Sequence, residues 1–226
     1  MNNPGRKALL LESMHSKLAA IPRSRKRRAG ARQPRRFDPA KAGFLDDPGR
    51  FRDLPPREVM RLLAPPREGL VVDFGSGTGT YALALARLRP DIEIAAFDEQ
   101  DAMLALLKDK LRAGPPAAVK PIKAGARSVK ALSGRVDRVL AINVLHELGD
   151  RSLEDLSSLL KKDGKALFID WSADVDRPTP PPREHVYSPG EAEKKLEGFG
   201  FRIEKRRLFR WQYAFLCRLD QPLGSA

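Results

Sequence analysis

From about residue 55 onward, solid apolar runs alternate with amphipathic stretches. Leu70–Phe74, Ile92–Phe97, Val119–Ala124, Arg138–Asn143 and Ala166–Trp171 read as short strands. Between them, Thr80–Leu88, Asp101–Leu111 and Leu153–Leu160 carry the spacing of helices. An earlier helix starts at Pro55, with Val59, Met60, Leu62 and Leu63 on one side, and Pro65-Pro66 ends it. Strands separated by helices imply a parallel sheet covered on both faces. The C-terminal part breaks the rhythm. Ser188-Pro189-Gly190-Glu191 is a capping box that opens a helix to about Glu197, stopped by Gly198 and Gly200. Phe201–Phe209 and Gln212–Leu219 follow with only two residues between them, so they predict an antiparallel hairpin. The pattern as a whole predicts an α/β fold whose parallel sheet finishes in that hairpin.

Charge divides the chain differently. The 226 residues carry 42 Lys and Arg against 29 Asp and Glu, a net charge of +13. Residues 1–36 hold +10 of it, with Glu12 as their one acid, and the body from Phe37 onward is nearly balanced. Leu9, Leu10, Leu11, Met14, Leu18 and Ile21 give 5–21 a loose apolar side, whereas Arg23–Arg36 is basic low-complexity sequence that predicts disorder. Pro178–Pro182 reads as a stiff loop within one domain. No apolar run approaches the roughly 18 residues of a membrane span. The single cysteine, Cys217, excludes an intramolecular disulfide and fits a reducing, cytoplasmic setting.

The most informative stretch is Val71-Val72-Asp73-Phe74-Gly75-Ser76-Gly77-Thr78-Gly79. Glycines after a strand let the backbone turn sharply and approach a ligand closely, and the next helix aims its free N–H groups at that ligand. Asp98, at the end of the following strand, is placed to accept hydrogen bonds from ribose hydroxyls. A nicotinamide-type G-x-G-x-x-G needs glycine at position 80, where Thr80 stands. The acid at Asp73 would crowd a pyrophosphate but suits a cationic amine. S-adenosylmethionine (SAM) has a ribose, an ammonium and a sulfonium and no phosphate, so the loop favours it.

With these residues the sequence resembles the class I SAM-dependent methyltransferases over about 37–219. Val139-Leu140-Ala141-Ile142-Asn143-Val144-Leu145-His146-Glu147-Leu148 is similar to the fourth-strand segment of the type 11 group, which includes the ubiquinone/menaquinone C-methyltransferases. Leu160-Lys161-Lys162-Asp163-Gly164 resembles that group's L-K-P-G-G turn, with Lys162-Asp163 in place of Pro-Gly, and Gly198-Phe199 its entry to the final hairpin. The resemblance implies a three-layer, Rossmann-like fold with a mostly parallel seven-stranded sheet. It implies that Asp73, Gly75, Gly77 and Gly79 face the methionine and ribose of SAM, and that Asp98 holds the ribose. Glu99 and Met103 would then lie near the adenine, and Asn143 at the methionine end. Ala124-Gly125-Ala126 stands where many relatives carry an acid for the adenine amine. Beyond the basic tail over 1–36 that the charge marks, the resemblance implies a cap or lid segment over 37–68, punctuated by Phe37, Phe44 and Phe51 with a hydrophobic anchor as its alternative role, and a SAM-binding domain over 69–226.

Methyl transfer from a sulfonium needs alignment above all, and a general base only where the acceptor must lose a proton. His146, following the fourth strand, is the first candidate base; shaping its loop is the competing role. His185 is the second candidate, with plain packing as its alternative, and Trp171 either walls the acceptor site or simply packs. No Asn/Asp-Pro-Pro-aromatic tetrapeptide for adenine amines appears, no catalytic cysteine for cytosine, and no obvious metal constellation. The leading expectation is therefore methyl transfer to oxygen, nitrogen or carbon of a small-molecule acceptor. Two alternatives stay open: an RNA-directed methyltransferase whose residues 23–36 anchor phosphates without sequence preference, and a SAM-binding protein without catalysis.

Overall fold

The computed structural model describes residues 37–114, 118–177 and 181–220. The expected helix over 5–21 and disorder over 23–36 lie outside the described residues, as do residues 178–180 of the loop expected over Pro178–Pro182. Seven strands form one sheet: β1 (Leu70–Phe74), β2 (Glu93–Asp98), β3 (Val119–Lys123), β4 (Val136–Ile142), β5 (Leu160–Trp171), β6 (Phe201–Leu208) and β7 (Gln212–Leu219). Their order is β3-β2-β1-β4-β5-β7-β6. The first five pair in parallel, and β7 lies antiparallel between β5 and β6.

Alternate side chains of each strand serve opposite faces. Val71, Ile94, Leu140, Leu167 and Leu216 pack with α2 (Pro56–Leu63), α3 (Thr80–Leu88) and Leu107 of α4 (Asp101–Arg112). Val72, Ala95, Val139, Phe168 and Phe215 pack with α5 (Ala126–Leu132), α6 (Asp150–Leu159) and α7 (Pro189–Glu197). The described domain thus has the three layers the sequence predicts. Sheet residues buried from both sides explain why the central strands are rich in apolar residues on both faces. The capping box of α7 forms as expected. Ser188 Oγ accepts from the Glu191 peptide at 3.2 Å, and a Glu191 carboxylate oxygen accepts from the Ser188 peptide at 2.8 Å.

Three features depart from the sequence pattern. The fifth strand begins at Leu160, not Ala166, because Val136 pairs with Leu160 while Arg138 pairs with Lys165. The residues from Lys161 to Gly164 bulge out between these pairs. Gly164 is required there, since a Cβ would stand 2.9 Å from the Val136 carbonyl oxygen. Helix α5 was not predicted; it buries only Val129, too little to set a period. Ahead of α2, Pro39–Asp46 winds as a 3-10 helix and Arg50–Asp53 forms a single turn, α1.

That leading segment is fastened by polar contacts. Asp46 accepts hydrogen bonds from the Thr78 hydroxyl at 2.6 Å and from the hydroxyl of Thr80, and Lys110 Nζ of α4 lies 2.5 Å away. Lys110 also donates to the Thr78 carbonyl at 2.9 Å. The Tyr81 hydroxyl donates to the Leu54 carbonyl at 3.0 Å, and Phe51 meets the Tyr81 ring edge-on at 5.4 Å.

Candidate active site

The parallel strands β1, β2 and β4 end at one edge of the sheet, and a cavity of about 810 Å³ opens there. Its walls come from the loop after β1, the ends of β2 and β4, the start of α6 and the leading segment. Strand ends and strand-order reversals are where open α/β sheets bind ligands. Here the order reverses between β1 and β4.

The loop is built by strand pairing and positive φ. Gly75 and Ser76 both donate their peptide N–H to the Phe97 carbonyl, at 2.8 and 2.9 Å, which folds the loop over the end of β2. Gly75, Gly77 and Gly79 have φ of 79°, 55° and 75°, left-handed values that L side chains adopt only under strain. At Gly79 a Cβ would also sit 2.3 Å from Leu107 Cδ1. Asn143 holds φ of 54° without being glycine, a strain of the kind that gathers at functional sites.

Two carboxyls dominate the cavity's inner end. Asp73 is 3% exposed, and burial, reinforced by the nearby Asp98 charge, pushes its carboxyl up to about 7 despite Arg50. Asp98 accepts from the Gly77 peptide and from the Gln100 peptide, each at 2.8 Å. Burial still holds its carboxyl above the ordinary range, opposing these donors. Arg50 lines the same end, donating to the Leu45 carbonyl at 2.6 Å with its guanidinium 5.4 Å from the Tyr81 ring centre. Nothing in the sequence marks Arg50, because its segment has no periodicity.

Of the residues singled out from sequence, Asp73, Gly75, Gly77, Asp98, Glu99, Met103 and Asn143 all line this cavity. Gly79 lies just behind it, opening α3. Ala124 and Gly125, after β3, line it as well. Buried Ser76 Oγ and Asn143 Oδ1 have no hydrogen-bond partner among the described residues.

The two candidate bases are placed differently. His146 does not line the cavity: its side chain is 8% exposed, and its Nδ1 lies 2.9 Å from both oxygens of Asp170 on β5. Its peptide N–H donates to Asp170 as well, at 2.8 Å. Burial depresses the imidazole, yet the Asp170 charge and hydrogen bond, aided by Glu147, carry its pKa above the usual value. His185 sits half-buried in a 3-10 turn away from the cavity, and Trp171 stacks against Arg177 instead of walling the site. The neighbour of His146 is the group that reaches in. Glu147 lines the cavity, accepts from the Phe37 peptide at 3.2 Å, and is pushed up to about 7 by burial. No candidate metal-binding group of three or more His, Cys, Asp or Glu occurs among the described residues.

Comparison with known proteins agrees with this geometry. Residues 71–164 match the family model of a methyltransferase domain. A SAM-dependent methyltransferase of known structure from Aquifex aeolicus is 26% identical, superposes with a TM-score of 0.74, and aligns over 80% of this chain and 98% of its own. A protein from Sulfolobus solfataricus assigned to the type 11 methyltransferases shares the fold at 20% identity and a TM-score of 0.63, over 77% of this chain and 96% of its own. Magnesium protoporphyrin IX methyltransferase of the Arabidopsis thaliana chloroplast is 28% identical over 159 residues, 64% of this chain and 50% of that protein. This chain thus spans about half the length of that curated relative. The domain match, the near-complete coverage of the Aquifex structure and the glycine loop beside two buried carboxyls place this chain among the class I SAM-dependent methyltransferases.

Proposed function

We propose that the chain binds SAM through Asp73, Gly75, Gly77, Gly79, Asp98, Glu99, Met103 and Asn143, and transfers its methyl group to oxygen, nitrogen or carbon of a small molecule. The observation that carries this is chemical. The inner end of the cavity offers two carboxyls, one guanidinium and two unpartnered buried oxygens, Ser76 Oγ and Asn143 Oδ1, and no cluster of cations for phosphates. That set suits a ligand with an ammonium, a ribose and a carboxylate.

When bound, SAM supplies a methyl carbon on a sulfonium, whose bonding pair departs with sulfur. The protein's own part is alignment and exclusion of water. Asp73 meets the amine charge, Arg50 balances a carboxylate, and the Asp98 oxygens keep lone pairs for two hydroxyls after binding the Gly77 and Gln100 peptides. Residues 37–68 act as a cap, with Leu45 and Arg50 over the loop, and 69–226 form the SAM-binding domain. The lone, buried Cys217 fits a cytoplasmic protein. Thermal stabilisation by SAM or its demethylated product, S-adenosylhomocysteine (SAH), tests the reading. It should appear in the parent and vanish in Asp98→Ala; a parent protein unmoved by either ligand would overturn it.

A second reading concerns nucleic acid. Phe37 lines the cavity, and its backbone is held by Glu147 and by the Gln100 amide, which donates to its carbonyl at 3.1 Å. On this reading the basic residues 23–36 anchor an RNA acceptor by its phosphates. Salt titrations against RNA should then show a steeper slope for the full chain than for 37–226; equal affinities would remove the tail from consideration.

A further inference from the structure

We propose that Glu147, not His146, takes the proton from the methyl acceptor, and that the His146–Asp170 pair is there to position and charge-balance it. This rests on the cavity being the methyl-transfer site.

Geometry comes first. Of the two adjacent side chains, only Glu147 lines the cavity, 18% exposed and on the same stretch of wall as Asn143, Val144 and Leu148. His146 turns inward and is held twice by Asp170, through its peptide and through Nδ1, while Asp170 is 0% exposed. An Nδ1 facing a buried carboxylate must carry hydrogen. That leaves Nε2, which lies 3.7 Å from Glu147 Oε1. A second proton on the imidazole, which its raised pKa favours, sits on Nε2 and makes His146 and Glu147 an ion pair across that gap. With that proton on His146, Glu147 is a carboxylate beside an imidazolium and ready to accept another.

The surrounding charges poise this arrangement near neutrality. Glu147 is faced by His146 of its own loop, by Asp170 of β5 and Asp98 of β2, and by the Phe37 peptide of the leading segment. His146 is faced by Asp170, Glu147 and, less favourably, Arg177. Burial and the two aspartates raise the Glu147 carboxyl to about 7, while the imidazolium and the Phe37 N–H pull it down. A base poised near the working pH is the efficient one. In the step itself the acceptor's X–H bond breaks, its electron pair stays on X to form the bond to the methyl carbon, and the proton passes to Glu147, which becomes neutral. Solvent then takes the proton from the partly exposed carboxyl. The acceptor class that uses this group bears an O–H or N–H at the reacting atom.

The test compares the full-length parent with Glu147→Gln and His146→Gln. Three measurements are made: SAH binding by calorimetry, the pH titration of the Glu147 carboxyl carbon by 13C NMR, and label transfer from [methyl-3H]SAM into a deproteinised cell extract. Glu147→Gln should bind SAH as the parent does yet lose about 100-fold or more in transfer, together with the acid limb of the pH profile. His146→Gln should bind SAH normally and move both the NMR midpoint and the acid limb up by about one pH unit, because the imidazolium that favours the carboxylate is gone. A parent midpoint in the ordinary carboxylate range, transfer by Glu147→Gln at the parent rate, or no shift in His146→Gln would each overturn the proposal. Where the extract yields no labelled product, the NMR midpoint and its shift decide alone. Failure of the parent to bind SAH would strike the cofactor reading instead.

Discussion

Asp73 is the residue whose replacement tests the site's electrostatics most directly. Its carboxyl rises from an ordinary 3.8 to about 7 because it is buried beside Asp98. The unfolded chain ionises this group near pH 4, the folded chain only near pH 7. Between those values the folded state holds the extra proton, so stability is full at low pH and falls as pH rises through about 7. At about 1.4 kcal/mol per unit, a shift of about three units costs the folded state about 4 kcal/mol once both states are ionised. About 3 kcal/mol of this falls between about pH 5 and 8. Asp73→Asn keeps the shape and removes the titration. Urea unfolding of parent and variant at several pH values should therefore show their stability difference moving in favour of the variant by about 3 kcal/mol across that range. Saturating SAH should stabilise the parent far more than the variant. A stability difference independent of pH would refute the assignment of a buried, reluctantly ionised carboxyl at the end of β1.

Other outcomes follow from the same structure. SAM binding to the parent should release protons near pH 7, seen as buffer-dependent heats in calorimetry, and weaken about tenfold per unit at lower pH, because the amine requires the Asp73 carboxylate. Gly79→Ala combines a left-handed φ, worth about 1–2 kcal/mol, with a Cβ driven into Leu107, worth about 1–3. Denaturant titration should find it about 2–5 kcal/mol less stable than the parent. Asp46→Ala releases Thr78, Thr80 and Lys110 together; because Asp46 is partly exposed, SAH affinity should fall only about fivefold, equal to about 1 kcal/mol.

The sheet was legible in sequence because its strands are buried from both sides. Val71 and Val72 point to opposite faces and are both 0% exposed, so the run stays apolar until Asp73, the cavity residue. The glycine loop was legible because positive φ and tight packing leave few other residues there. Helix α5, anchored by Val129 alone, had no such signature. Nor did the leading segment, where only Ala42 is buried in the 3-10 helix and fastening falls to single polar groups such as Asp46 and Arg50. The local sequence His146-Glu147 could not show which side chain enters the cavity. That depends on Asp170, a strand away in sequence and buried beneath both.

The position of β7 bears on how the protein is made. This strand follows all the other described strands in sequence, yet it fills the gap between β5 and β6, pairing Ala166–Trp171 on one side and Phe201–Leu208 on the other. Throughout synthesis on the ribosome, until about residue 219 has emerged, the Ala166–Trp171 edge has no partner on that side, and the nascent sheet offers an apolar, unpaired border. Completion of the sheet therefore waits for β7, and the interval before it is when chaperones or aggregation compete for the chain. Ribosome-arrested chains ending before Gln212 should be protease-sensitive along β5, while chains extended well past Leu219 should resist.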